Sequence, residues 1–181
     1  FPVEKAFVDK LFHKFSDRLP EEIKKAILLN KMEEDKMPII RNASECVNHI
    51  FHYLRSKGLY YKDEDVKNFY LSLKTKPFVI LSGISGTGKT KMVRLFAESL
   101  GATTENHQFQ LIPVRPDWSD GSDLIGYVDI KGEFIKGPLT EILMEANEPE
   151  NRNKPYFVLL DEMNLARVEH YFSDLLSIME T

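Results

Sequence analysis

The chain has 181 residues, 43% hydrophobic and 29% charged, with a formal net charge of −4, which suits one soluble globular domain with an appendage and allows a real core. Its single cysteine, Cys46, excludes an internal disulfide and fits a reducing, cytoplasmic setting. No apolar run approaches the ~20 residues of a membrane span, no signal peptide opens the chain, and Phe1 rather than Met at the start leads one to expect that the natural beginning lies upstream.

The total charge conceals a division. Residues 1–76 hold 15 Lys+Arg against 12 Asp+Glu, whereas residues 77–181 hold 9 against 16. Neither half has the dense basic stripe of a nucleic-acid groove, so DNA contacts are not expected within these residues.

The first 76 residues predict helices. Phe7, Leu11, Phe12 and Phe15 share one helical face. Pro20 suits the first turn of a second helix carrying Ile23, Ile27 and Leu28. Ser44 can cap a third, with Val47, Ile50, Phe51 and Leu54 inward and Gly58 as its stop. Asp63 can cap a fourth, which buries Val66, Phe69, Tyr70 and Leu73. The spacing of Cys46, His49 and His52 invites a metal reading, but the three fan around a helix and no fourth ligand is near, so they read as helix-surface and core residues.

From Pro77 the pattern changes to alternating strands and helices, the signature of a parallel α/β sheet. A short apolar strand, Phe78-Val79-Ile80-Leu81, leads into Gly83-Ile84-Ser85-Gly86-Thr87-Gly88-Lys89-Thr90, a full match to the phosphate-binding pattern G-x-x-x-x-G-K-[ST]. Its glycines let backbone N–H groups turn toward an anion, and the following helix adds the positive end of its dipole. Lys89 is expected to reach the outer phosphates and Thr90 to stand on Mg²⁺; Lys91 completes the nucleotide-binding stretch. The helix spans about 89–100, with Met92, Val93, Phe96, Ala97 and Leu100 inward and Gly101 ending it.

A strand near His107–Val114 follows, with Phe109 and Leu111 on the same side. Lys131-Gly132, between two short apolar segments, suggests a hairpin inserted in the core. A helix over about 139–146 leads to a polar surface loop over 147–154. Then Tyr156-Phe157-Val158-Leu159-Leu160 makes a strand buried on both faces, with Asp161 and Glu162 at its carboxyl end, where open α/β sheets bind ligands. An acid here can hold the magnesium that Thr90 touches, and a neighbouring Glu can orient or deprotonate a water. Val168, Tyr171, Phe172, Leu175, Leu176 and Met179 lie on one face of a closing helix.

These residues resemble AAA+ ATPases. Besides the phosphate loop, the resemblance rests on Val-Arg-Pro-Asp-Trp (114–118), Leu-Ile-Gly-Tyr (124–127) and Leu-Asp-Glu-Met-Asn-Leu-Ala-Arg-Val-Glu-His-Tyr-Phe (160–172). The branch it is most similar to is the McrB-like NTPase subunit of methylcytosine-dependent restriction systems. It covers about residues 64–181, with Ile84 and Ser85 where many AAA+ loops have prolines.

The resemblance implies an α/β P-loop NTPase: a parallel sheet core with flanking helices and a hairpin insertion over 63–181, preceded by a helical segment over 1–62. It implies a homo-oligomeric ring that hydrolyses nucleotide with Mg²⁺, ATP ahead of GTP, beside a partner nuclease and a DNA-recognition domain. On it, Lys89 and Thr90 hold phosphate and metal, Asp161 the metal, and Glu162 the attacking water. It also implies that a further strand, an arginine finger and a lid follow Thr181; that strand belongs between the strands at 78–82 and 156–160, which are expected to present unpaired backbone groups without it, and the piece is expected to be inactive alone. MoxR- and midasin-like remodelling ATPases share the motifs. A small P-loop kinase and a non-hydrolysing nucleotide-binding scaffold remain open from the residues themselves.

Overall fold

The computed structural model describes residues 42–84 and 86–179, with side chains to Ser177. The two helices expected before residue 42, Ser85 and the side chain of Met179 lie outside the described residues.

Helix α1, Ala43–Ser56, is capped by Asn42, whose side chain accepts from the Ser44 N–H at 3.0 Å, so the cap falls two residues before Ser44. Gly58 follows its end in the left-handed conformation (φ 77°). In α2, Asp63–Thr75, Lys62 takes the cap position, and Asp63, Glu64 and Asp65 put negative charge in the first turn. The helix after the phosphate loop is α3, Lys89–Ser99.

Strand β1, Phe109–Pro113, pairs in parallel with β4, Phe157–Asp161, in the register Phe109↔Phe157 to Pro113↔Asp161. The crossover between them carries the short helix α4 (Ser122–Ile125), a hairpin of β2 (Gly126–Val128) and β3 (Phe134–Lys136), and helix α5 (Pro138–Asn147). The hairpin turns through Asp129–Glu133, where the Asp129 carboxylate accepts from the Lys131 and Glu133 N–H groups. The 3₁₀ turn Met163–Leu165 and helices α6 (Val168–Tyr171) and α7 (Ser173–Met179) follow β4. This is an α/β P-loop fold.

Two-residue alternation along β4 divides the core. Phe157 and Leu159 pack with α1, α2 and α3, against Ile50, Leu54, Val66, Phe69, Met92, Val93 and Phe96. Val158 and Leu160 pack on the other face, with Leu124, Leu143, Tyr171, Phe172 and Leu175. On β1, Phe109 and Ile112 are buried on opposite faces, while Leu111, expected beside Phe109, is 41% exposed.

The segment 78–81 joins no ladder among the described residues, as expected for a strand without its neighbour, whereas β4, expected to be unpaired as well, pairs with β1. The segment keeps the strand alternation: Val79 and Leu81 turn to the α3 side, and the Phe78 ring lies 5.1 Å from that of Phe172. A ladder needs a neighbouring strand to accept its hydrogen bonds, and none of the described strands lies beside it; Ile80 is 68% exposed.

The closing helix predicted as one element is two. The break falls at Phe172, between rings that serve different partners: Tyr171 packs edge-on against Trp118 and donates to the Met163 carbonyl at 3.0 Å, while Phe172 packs against Phe78.

The hairpin is fixed to the body by two glycines. Gly137 N–H donates to the Ile125 carbonyl at 2.9 Å. Gly126 sits at φ 119°, and a Cβ built there would lie 2.2 Å from the Ile135 carbonyl oxygen and 2.8 Å from Gly137 N. Both obstacles are backbone and cannot swing away. Gly126→Ala is therefore expected to destabilise by about 1–3 kcal/mol, as overpacking does, with Tm falling by about 2–4 °C per kcal/mol for a chain of this size. Thermal unfolding of the purified protein checks it, and an unchanged Tm would mean that the hairpin base relaxes freely.

Candidate functional site

The sheet positions the site from below. Residue 109 pairs with 157 and residue 113 with 161, so the carboxyl ends of β1 and β4 finish together. The Val114 N–H donates to the Asp161 carbonyl at 3.0 Å and holds that edge closed. Asp161 is the last residue of β4, and its side chain faces the start of α3.

The loop over 83–88 is shaped by glycines in the left-handed region: φ is 151° at Gly83, 80° at Gly86 and 84° at Gly88. These angles suit glycine and few other residues. The Thr87 hydroxyl donates to the Ile84 carbonyl at 2.9 Å and ties the turn together, while the Ile84 side chain is 81% exposed. Gly88 caps α3, and its carbonyl accepts the Met92 N–H at 2.8 Å, the first bond of the helix. The amides of the first turn have no partner within the helix and are free to face an anion.

Lys89 and Thr90 are the first two residues of α3. The Lys89 ammonium folds over the loop and donates to the Gly83 carbonyl at 3.0 Å and the Ile84 carbonyl at 2.9 Å. The Thr90 hydroxyl donates to Asp161 Oδ1 at 3.0 Å, across 71 residues of sequence. The two chemical signals read from the sequence thus meet at one point. Lys91 is exposed, on the side of α3 away from the core.

Glu162 stands apart from this cluster. Its backbone is left-handed (φ 54°), it caps the 3₁₀ turn, and its carbonyl accepts the Leu165 N–H at 2.9 Å. Its carboxylate is exposed and makes no hydrogen bond to the loop among the described residues. For a non-glycine residue this conformation costs about 1–3 kcal/mol, and such strain gathers at active sites. Arg167, at the cap of α6, is exposed.

One half-buried hydroxyl was not found from the sequence. Tyr61, between α1 and α2, donates from its phenol to the Gly88 carbonyl at 3.1 Å. No motif marks it; only the fold brings the helical segment against the loop. Burial pushes its phenol above the usual tyrosine range, so it stays a donor through neutral pH.

The oxygen set suits a hard divalent cation. One hydroxyl and one carboxylate stand 3.0 Å apart, and no group of three or more His, Cys, Asp or Glu side chains could hold a metal among the described residues. Mg²⁺ is usually held in this manner, by one or two protein oxygens together with substrate phosphates. Cys46 and His49 serve packing: Cys46 sits beside the α1–α2 core, and His49 Nε2 lies 2.9 Å from the Ser99 carbonyl.

A family model described as the AAA domain, dynein-related subfamily, matches residues 78–181, more than half of the chain. The chain belongs to this family. In general terms the AAA domain here is a nucleotide-binding ATPase module, and the matched region holds both the loop of residues 83–90 and the acids at 161 and 162. The match begins downstream of α1, α2 and Tyr61. No curated protein matches the chain. Among the described residues, no helix is long and apolar enough to cross a membrane.

Proposed function

We propose that this AAA domain binds Mg·ATP, with GTP as the second choice, and hydrolyses it through the residues of the loop and the β4 edge. The observation that carries the reading is the 3.0 Å bond from Thr90 Oγ1 to Asp161 Oδ1, which joins the phosphate loop to the acid pair. Backbone amides over 83–90, with glycines giving the turn, surround the phosphates. The Lys89 ammonium leaves the Gly83 and Ile84 carbonyls for the outer phosphates, exchanging two neutral acceptors for charged ones. Thr90 and Asp161 hold Mg²⁺, which when bound neutralises charge gathering on the phosphate oxygens. Glu162 orients a water and takes its proton. A homo-oligomeric ring is the expected assembly, since in such rings the site lies at subunit interfaces and a neighbour can supply an arginine.

Resemblance to the McrB-like branch supports a role in driving a DNA restriction complex with a partner nuclease in the cytoplasm. The same motifs support a MoxR- or midasin-like remodelling role. Phosphate release by the full-length protein tests the chemistry: turnover is expected to rise with Mg²⁺ and to be lost on adding a chelator. Turnover that ignores the chelator would overturn the metal assignment. Stimulation by methylated DNA supports the restriction role, and stimulation only by a folded protein client supports remodelling.

A further inference from the structure

The phosphate loop is held from outside the AAA match. Helices α1 and α2 bury Ile50, Leu54, Val66, Phe69 and Tyr70 in the same cluster as Met92, Val93 and Phe96 of α3. At the far end of α3, His49 Nε2 meets the Ser99 carbonyl at 2.9 Å and the Tyr53 hydroxyl donates to Glu98 Oε2 at 3.3 Å. At the near end, the Tyr61 hydroxyl reaches the Gly88 carbonyl at 3.1 Å. The upstream segment therefore grips α3 at both ends, and the near grip falls on the loop itself.

We propose that Tyr61 is a positioning residue for nucleotide binding, fixing the Gly88–Lys89 peptide so that the Lys89 N–H faces the phosphates. A trans peptide is planar, so its C=O and N–H point in opposite directions and fixing one fixes the other. The Gly88 carbonyl has two lone pairs. Met92 N–H takes one at 2.8 Å and the Tyr61 hydroxyl the other at 3.1 Å. With the carbonyl held on both sides, the Lys89 amide is aimed out of the helix N-terminus, where anions bind. Gly88 is otherwise the pivot most able to turn, because its left-handed backbone (φ 84°) carries no side chain. A Cβ at Gly88 would come 3.1 Å from the Tyr61 hydroxyl, so any other residue there would have to push the phenol back by a few tenths of an ångström. A preformed amide cradle lowers the ordering cost of binding.

This inference rests on the proposed Mg·ATP site, and its test separates the two. Tyr61→Phe keeps the ring and its packing while removing only the O–H. In the full-length protein, calorimetric titration with Mg·ATP should show binding weakened by roughly 2–10-fold, while the nucleotide-free Tm falls by no more than the few degrees that one lost hydrogen bond brings. KM should rise by a similar factor with kcat nearly constant. Exposed Tyr60 (82%) gives the control, and Tyr60→Phe should change neither. Wild-type affinity retained in Tyr61→Phe would overturn the positioning role. So would a nucleotide-free Tm that falls much further than one hydrogen bond accounts for, since that marks Tyr61 as ordinary core. If the wild-type protein binds no Mg·ATP and Lys89→Ala changes nothing, the nucleotide site falls, and the role of Tyr61 with it.

Discussion

Glu162→Gln is expected to lower turnover by roughly 10²–10⁴-fold, the usual weight of a positioned general base, while nucleotide affinity stays nearly intact. Glutamine keeps the shape of the side chain and can still hydrogen-bond a water, but it cannot accept the proton. The structure gives the residue a setting apart from the Thr90–Asp161 pair. Lys89 and Thr90 sit on α3, Asp161 ends β4, and Glu162 turns away into a left-handed conformation (φ 54°) with its carboxylate exposed. A group that held phosphate or metal would be drawn into the Thr90–Asp161 pair; one that meets a water beyond the γ-phosphate has reason to stand outside it. Measuring phosphate release beside calorimetric affinity in the full-length protein checks both halves. Parent-rate hydrolysis by Glu162→Gln would move the base to another residue, and a large loss of affinity would make Glu162 a binding group.

The candidate site was legible in the sequence because the patterns that mark it are local. A glycine pattern fixes backbone conformation within six residues, and an apolar run ending in two acids fixes a strand and its edge. What joined them was a long-range contact, Thr90 to Asp161, made where α3 packs against β4. The hairpin over 126–136 was also visible, since a strand pair with a close turn is a local matter. The lack of a partner for 78–81 was expected from the resemblance, and among the described residues none pairs with it. Two features were not legible, each because it depends on partners distant in sequence. The periodic run over 168–179 reads as one helix, but Tyr171 and Phe172 are drawn to Trp118 and Phe78 on separate elements, and the helix breaks between them. Tyr61 carries no signal at all, because its role depends on where α1 and α2 set it against Gly88.

Lys89→Ala is expected to weaken Mg·ATP binding by roughly tenfold to a hundredfold, which corresponds to the 1.5–3 kcal/mol of a hydrogen bond to a charged group. The Lys89 ammonium donates to the Gly83 and Ile84 carbonyls at 3.0 and 2.9 Å, in an exposed part of the loop. Water can replace it there, so the substitution should cost the nucleotide-free fold little. With nucleotide the same ammonium would face charged oxygens inside a ring of amides, where water is the poorer substitute. The loss therefore falls on the bound state and appears as affinity rather than Tm. Arginine is not a neutral replacement, since its planar fork cannot take the place of a compact ammonium at the loop. Calorimetry on Lys89→Ala, with a melting curve of the nucleotide-free protein beside it, gives the decisive pair of numbers. An unchanged dissociation constant would remove Lys89 from the phosphate site. Weak binding in Lys89→Ala together with intact binding in Glu162→Gln would separate the group that holds the phosphates from the group that prepares the water.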